Sequence, residues 1–89
     1  MRLDRYLKVS RLIKRRSVAK DVADGGRILI NGKTAKPASE VKVCDEIEMH
    51  LGRNTIGVRV LMVNEHASLQ EAEDMYEILY QENILERRS

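Results

Sequence analysis

The chain has no tryptophan and no phenylalanine, and only three tyrosines, one proline and one cysteine. So few aromatics leave no platform on which successive unpaired bases could stack, as single-strand nucleic-acid binders require. One cysteine cannot form an intramolecular disulfide, so Cys44 reads as an inert small residue of a reduced protein. No apolar run approaches the roughly 18 residues that span a bilayer. The opening Met1-Arg2-Leu3-Asp4-Arg5 lacks the continuous apolar stretch of a secretion signal. His50 and His66 are far apart and lack cysteine or histidine neighbours, so no metal site is expected. Gly25-Gly26 is not followed by the Gly-Lys-Ser/Thr sequence that cradles nucleotide phosphates, and no nucleophile–base constellation appears. These absences point away from an enzyme and from any cofactor, and toward a cytoplasmic binding protein without membrane contact.

What is present is charge, unevenly spread. The net charge is +2, yet Met1 to Lys36 holds eleven basic and three acidic residues, a balance of +8. From Pro37 to Ser89 five basic residues face eleven acidic ones, a balance of −6. A basic segment joined to an acidic remainder is the pattern of a nucleic-acid footprint, since lysine and arginine neutralise phosphate and release its counterions. With 43% hydrophobic and 34% charged residues in 89, the chain fits one small globular domain with at most an appended element.

Periodicity supplies the elements. Leu3, Tyr6 and Leu7 fall on one helical arc opposite Arg2, Arg5 and Lys8, a pattern that fails beyond Val9 or Ser10. Tyr6 is expected to pack in this helix with its hydroxyl at the surface. Leu12 and Ile13 turn inward, and Lys14-Arg15-Arg16 forms a cationic loop. Ser17 is the expected N-cap of a second helix whose stripe is Val18, Ala19, Val22 and Ala23, ended by Gly25-Gly26. Arg15 and Arg16 would then meet the free N–H groups of a helix start, a favourable place for phosphate.

Asn31-Gly32 between two short runs predicts a hairpin, because both residues accept positive φ. Pro37 interrupts its second strand. Ile47, Met49 and Leu51 alternate with polar residues, Gly52-Arg53-Asn54 turns the chain, and Ile56, Val58, Val60 and Met62 alternate in return. Ser68-Leu69-Gln70-Glu71 matches a capping box, and Ala72, Met75, Tyr76 and Leu79 continue at helical spacing. The expectation is an α/β (α+β) fold: two N-terminal helices on a small, mostly antiparallel sheet over residues 1–63. An acidic, helical extension follows over 64–89, either docked on the sheet or projecting toward a partner.

Several strings occur together and in order: Arg2-Leu3-Asp4-Arg5-Tyr6-Leu7, Arg15-Arg16-Ser17-x-Ala19, Gly26-Arg27-Ile28-x-x-Asn31-Gly32, Lys36-Pro37 and Val41-x-Val43-x-Asp45-x-Ile47. Over about residues 1 to 50 the chain thereby resembles the RNA-binding domain named for ribosomal small-subunit protein S-four. Within that family it is similar to the short stand-alone members, heat shock protein fifteen and the factors of ribosome-associated quality control. The resemblance implies docking on ribosomal RNA of a stalled large subunit that still carries peptidyl-tRNA. It also implies support of C-terminal tailing of the nascent chain, with a tailing factor as a further partner and the protein itself monomeric. By position, the family's RNA-contacting surface would fall on Arg2, Arg5, Lys8, Arg11, Arg15, Arg16, Ser17, Lys20 and Arg27. Lys14 and Lys36, from the same basic segment, complete the candidate set. One departure stands out: the family usually has glycine where Cys44 precedes Asp45, so a turn needing positive φ would strain Cys44.

Three alternatives remain at this point. One is a heat-shock-type role in recycling obstructed large subunits. Another is a general structured-RNA or protein-interaction module. The third is a fragment of an RNA-modifying enzyme or tyrosyl-tRNA synthetase, although roughly 40 residues beyond the motifs cannot build a catalytic domain of ordinary size.

Overall fold

The computed structural model describes residues 1–83. Helix α1 spans Leu3–Val9 and buries Leu3, Tyr6 and Leu7 completely. No side chain caps its start. Instead the segment after Pro37 supplies main-chain acceptors: Leu3 N–H donates to Ser39 O (2.8 Å) and Asp4 N–H to Pro37 O (3.0 Å). Two of the donors orphaned at a helix start are thus paired. Arg11, just past the C-terminal end, adopts φ 67° and donates its N–H to Lys8 O (3.1 Å). This left-handed cap is usually a glycine position.

Helix α2 spans Arg16–Asp24, and Ala19 and Ala23 have no exposed surface. Small side chains there let α2 sit close against its neighbours. Ser17 is not the N-cap. Arg15 occupies that position without a side-chain cap, and Ser17 is an exposed residue of the first turn. The extended conformation ends two residues earlier than the hydroxyl suggested, and Arg16, now the first helical residue, pairs with Asp4. Gly26 (φ 76°) and the bond from Arg27 N–H to Val22 O (3.2 Å) close the far end.

Strands β1 (Ile28–Ile30) and β2 (Lys33–Thr34) form the expected hairpin, with Asn31 at φ 51° and Gly32 at φ 82°. Cys44 takes φ 77° in the turn that leads to β3, so the strain expected of a side chain at that position is present. β3 (Glu46–Leu51) and β4 (Asn54–Val60) pair in continuous antiparallel register from Glu46↔Arg59 to Leu51↔Asn54. Ile47, Met49, Val58 and Val60 point into the core beneath the helices, which places Glu46, Glu48 and His50 on the opposite face.

Up to Asn83 the tail departs from expectation, and residues 84–89 of the expected helical extension lie outside the described residues. The capping box forms: Ser68 Oγ accepts from Glu71 N–H (3.2 Å) and Glu71 Oε1 accepts from Ser68 N–H (3.0 Å). Helix α3 lasts only Leu69–Ala72, however, continues as a 3-10 turn over Glu73–Met75, and gives way to strand β5, Tyr76–Asn83. β5 pairs antiparallel with β4, completing the order β2-β1-β3-β4-β5 among the described residues. Two features overrode the helical spacing. Met75 is fully buried, and its carbonyl accepts from Tyr6 Oη (2.7 Å) and from Leu61 N–H (2.8 Å). The edge of β4 then offers the following aromatic and β-branched run a full ladder of backbone partners. Tyr6 is corrected by the same contact: its hydroxyl is buried, not at the surface.

Candidate nucleic-acid interface

The N-terminal arginines are organised by a carboxylate. Asp4 lies in the first turn of α1 and is almost completely buried. Arg2 Nη2 is 3.2 Å from its Oδ2, and Arg16 Nη2 is 3.3 Å from its Oδ1. Its Oδ1 also accepts from Arg5 N–H at 2.7 Å. Burial pushes the carboxyl upward, but hydrogen bonds from Arg16, Arg2 and the backbone outweigh this and hold it below the ordinary aspartate range. Residues fourteen apart in sequence therefore present their guanidiniums side by side. Both arginines keep about half their side-chain surface exposed, 52% for Arg2 and 45% for Arg16.

Beside this clamp lies a shallow hollow of about 270 Å³, lined by Arg5, Lys8, Arg11 and Arg16 with Val9, Glu65 and Ala67. α1 supplies Arg5 and Lys8 from its polar face, the left-handed cap supplies Arg11, and the first turn of α2 supplies Arg16. Arg5 is the least free of them. Its Nη2 donates to Glu65 O (3.1 Å), and its Nε lies 3.2 Å from Glu65 Oε1. That Nε is buried without a hydrogen-bond partner among the described residues.

Of the sequence-derived set, the hollow gathers Arg5, Lys8, Arg11 and Arg16, and Asp4 ties Arg2 to them. Lys14, Arg15, Ser17, Lys20, Arg27 and Lys36 are all exposed and do not line it. Sequence reasoning missed Asp4 and Glu65. Asp4 carried a signal: it lies one position from Leu3 and three from Leu7, at the border of the apolar stripe, where a charge needs partners. Glu65 carried none, being sixty residues from Arg5.

Glu65 apart, acidic residues of the second half pair elsewhere. On the sheet face opposite the helices, Arg59 bridges Glu77 (2.8 Å) and Glu46 (3.4 Å). Tyr80 donates to Glu48, which also contacts His50 Nε2 at 2.7 Å. The bond to Glu48 pushes the Tyr80 phenol up to about 12. Among the described residues no three His, Cys, Asp or Glu side chains are grouped to hold a metal ion. No described helix is long and apolar enough to cross a membrane.

The family model of the S4 domain matches residues 1–47, which carry α1, α2, the hairpin and the start of β3. The chain belongs to the S4 domain family. All eleven candidate residues lie inside the matched S4 segment, whereas Glu65 and Ala67 reach the hollow from outside it. Similarity to individual proteins extends over the whole length. The chain is 50% identical to the RQC P-site tRNA stabilizing factor of Listeria innocua, across 99% of this chain and 96% of that protein. It is also 50% identical to the RQC P-site tRNA stabilizing factor of Bacillus subtilis, across 94% of this chain and 98% of that protein. Its fold is similar to the trimeric structure of Vibrio cholerae heat shock protein 15, with a TM-score of 0.82 and 27% identity over 99% of this chain and 89% of that one.

Proposed function

We propose that this S4 protein is a non-enzymatic, cytoplasmic factor that binds ribosomal RNA and peptidyl-tRNA on stalled large subunits in ribosome-associated quality control. Its binding face comprises Arg2, Arg5, Lys8, Arg11, Lys14, Arg15, Arg16, Ser17, Lys20, Arg27 and Lys36. The observation that carries the reading is the convergence of Arg5, Lys8, Arg11 and Arg16 on one hollow, with Arg2 joined through Asp4. Arginine forks there can take phosphate oxygens in pairs. The scarcity of aromatics favours folded RNA recognised by shape and backbone over stacked single strands. The protein acts as a monomer by docking, holding the tRNA while a tailing factor extends the nascent chain. The relatives that match almost end to end at 50% identity are RQC P-site tRNA stabilizing factors, which supports this over a heat-shock-type recycling role, for which the likeness is 27% identical.

Co-sedimentation with large subunits, with and without bound peptidyl-tRNA, tests the proposal. Binding that requires peptidyl-tRNA and falls in Arg2→Ala and Arg16→Ala is the expected result. Equal binding to both kinds of subunit overturns the quality-control reading in favour of a general structured-RNA module, and unchanged binding by both variants overturns the face.

A further inference from the structure

Glu65 is out of place in charge. It stands in the segment between β4 and α3, where Asn64 Oδ1 accepts from His66 N–H (2.9 Å) and shapes the turn that presents it. Its carboxylate lines the hollow formed by Arg5, Lys8, Arg11 and Arg16, 3.2 Å from Arg5 Nε, while its main-chain oxygen accepts from Arg5 Nη2. The side chain remains 60% exposed, so the carboxylate has capacity toward incoming ligand as well as toward Arg5.

Two consequences follow from that position. A phosphate entering at the Arg5 end would meet a fixed negative charge, and like-charge juxtaposition disfavours the wrong ligand strongly. A hydrogen-bond donor entering there would instead find an acceptor, and cations a few ångströms away would hold the neighbouring phosphate. On a nucleic-acid backbone, the donor next to a phosphate is the ribose 2′-hydroxyl, which RNA has and DNA lacks.

We propose that Glu65 is a specificity-determining residue of this face: it rejects phosphate at the Arg5 end of the hollow and accepts a hydrogen bond from a ribose 2′-hydroxyl, so that RNA is bound in preference to DNA. The inference rests on the reading of the hollow as a nucleic-acid site. It adds a residue from outside the S4 segment to that site, and it assigns a readout to a surface otherwise suited to any polyanion.

The test compares an RNA hairpin with a DNA hairpin of matching sequence, using the full chain and its Glu65→Gln and Glu65→Ala variants, with thermal melts run in parallel. Glu65→Gln removes the charge and keeps an acceptor. DNA affinity is expected to rise about tenfold, with RNA affinity little changed and a salt dependence steeper by about one phosphate contact. Glu65→Ala should raise DNA binding similarly and lower RNA binding a few-fold. An RNA-to-DNA ratio within twofold of the parent in both variants overturns the inference, as does absence of binding by every protein. Arg16→Ala, measured alongside, separates the two readings. If Arg16→Ala lowers RNA affinity while both Glu65 variants keep the parent's ratio, the hollow binds RNA and the role of Glu65 alone fails; if neither residue's replacement alters binding, the hollow is not the site and both readings fail.

Discussion

Arg16, the first residue of α2, donates from Nη2 to the buried carboxylate of Asp4 on α1, 3.3 Å away. Through this bond a helix packed by small residues is also oriented by charge, and Arg2 joins the same carboxylate from the other side. Asp4→Asn should therefore act on both stability and binding. We expect a loss of about 1.5–3 kcal/mol, the range for hydrogen bonds to charged groups, read by urea denaturation. RNA affinity should also fall, because Arg2 and Arg16 lose their common anchor.

The same carboxylate sets a pH dependence. Asp4 ionises below the ordinary aspartate value of 3.8 in the folded state, so its contribution is present above that value and is lost as pH falls through the folded one. Between about pH 5 and 3 the parent should lose stability more steeply than Asp4→Asn. Parallel slopes for the two proteins would show that Asp4 is not the responsible group.

Tyr6 reaches from α1 to the far end of the chain, donating to Met75 O at 2.7 Å within the core. Tyr6→Phe should cost about 1 kcal/mol, since the Met75 carbonyl retains the Leu61 N–H. Tyr6→Ala should cost about 3–5 kcal/mol through the cavity it opens. Chemical denaturation monitored by far-UV circular dichroism checks both values.

A Cβ at Gly57 would overlap the ring of Tyr80, which lies across the strand from it. Gly57→Ala should destabilise by about 1–3 kcal/mol as the ring or β5 is forced aside. Adding Tyr80→Ala should recover most of that loss, giving a large coupling in a double-mutant cycle of thermal melts.

Cys44 offers the opposite sign. Its φ of 77° costs a side-chain-bearing residue about 1–2 kcal/mol, against about 0.5–1 kcal/mol of extra unfolded-state freedom for glycine. Cys44→Gly should stabilise the protein by about 0.5–1 kcal/mol, read as a higher urea midpoint with an unchanged slope.

The sequence by itself determined the local elements whose signals are local. The arc of Leu3, Tyr6 and Leu7, the Asn31-Gly32 hairpin, the Gly26 helix stop and the alternation along Ile47–Val60 all rest on periodicity or on φ preference, which neighbours in sequence settle. The concentration of cations before Pro37 was equally legible, and it named Arg5, Lys8, Arg11 and Arg16 before any geometry was known. Only the tertiary structure decided what lies between distant residues. Arg15 rather than Ser17 takes the cap position in a helix whose first residue, Arg16, pairs with Asp4, and the helical spacing after Met75 yielded to the edge of β4. The Asp4 clamp and the Glu65 carboxylate in the hollow were likewise set by packing. Backbone pairing and ion pairing across twelve to sixty residues are properties of the assembled core, and no local preference of the chain encodes them.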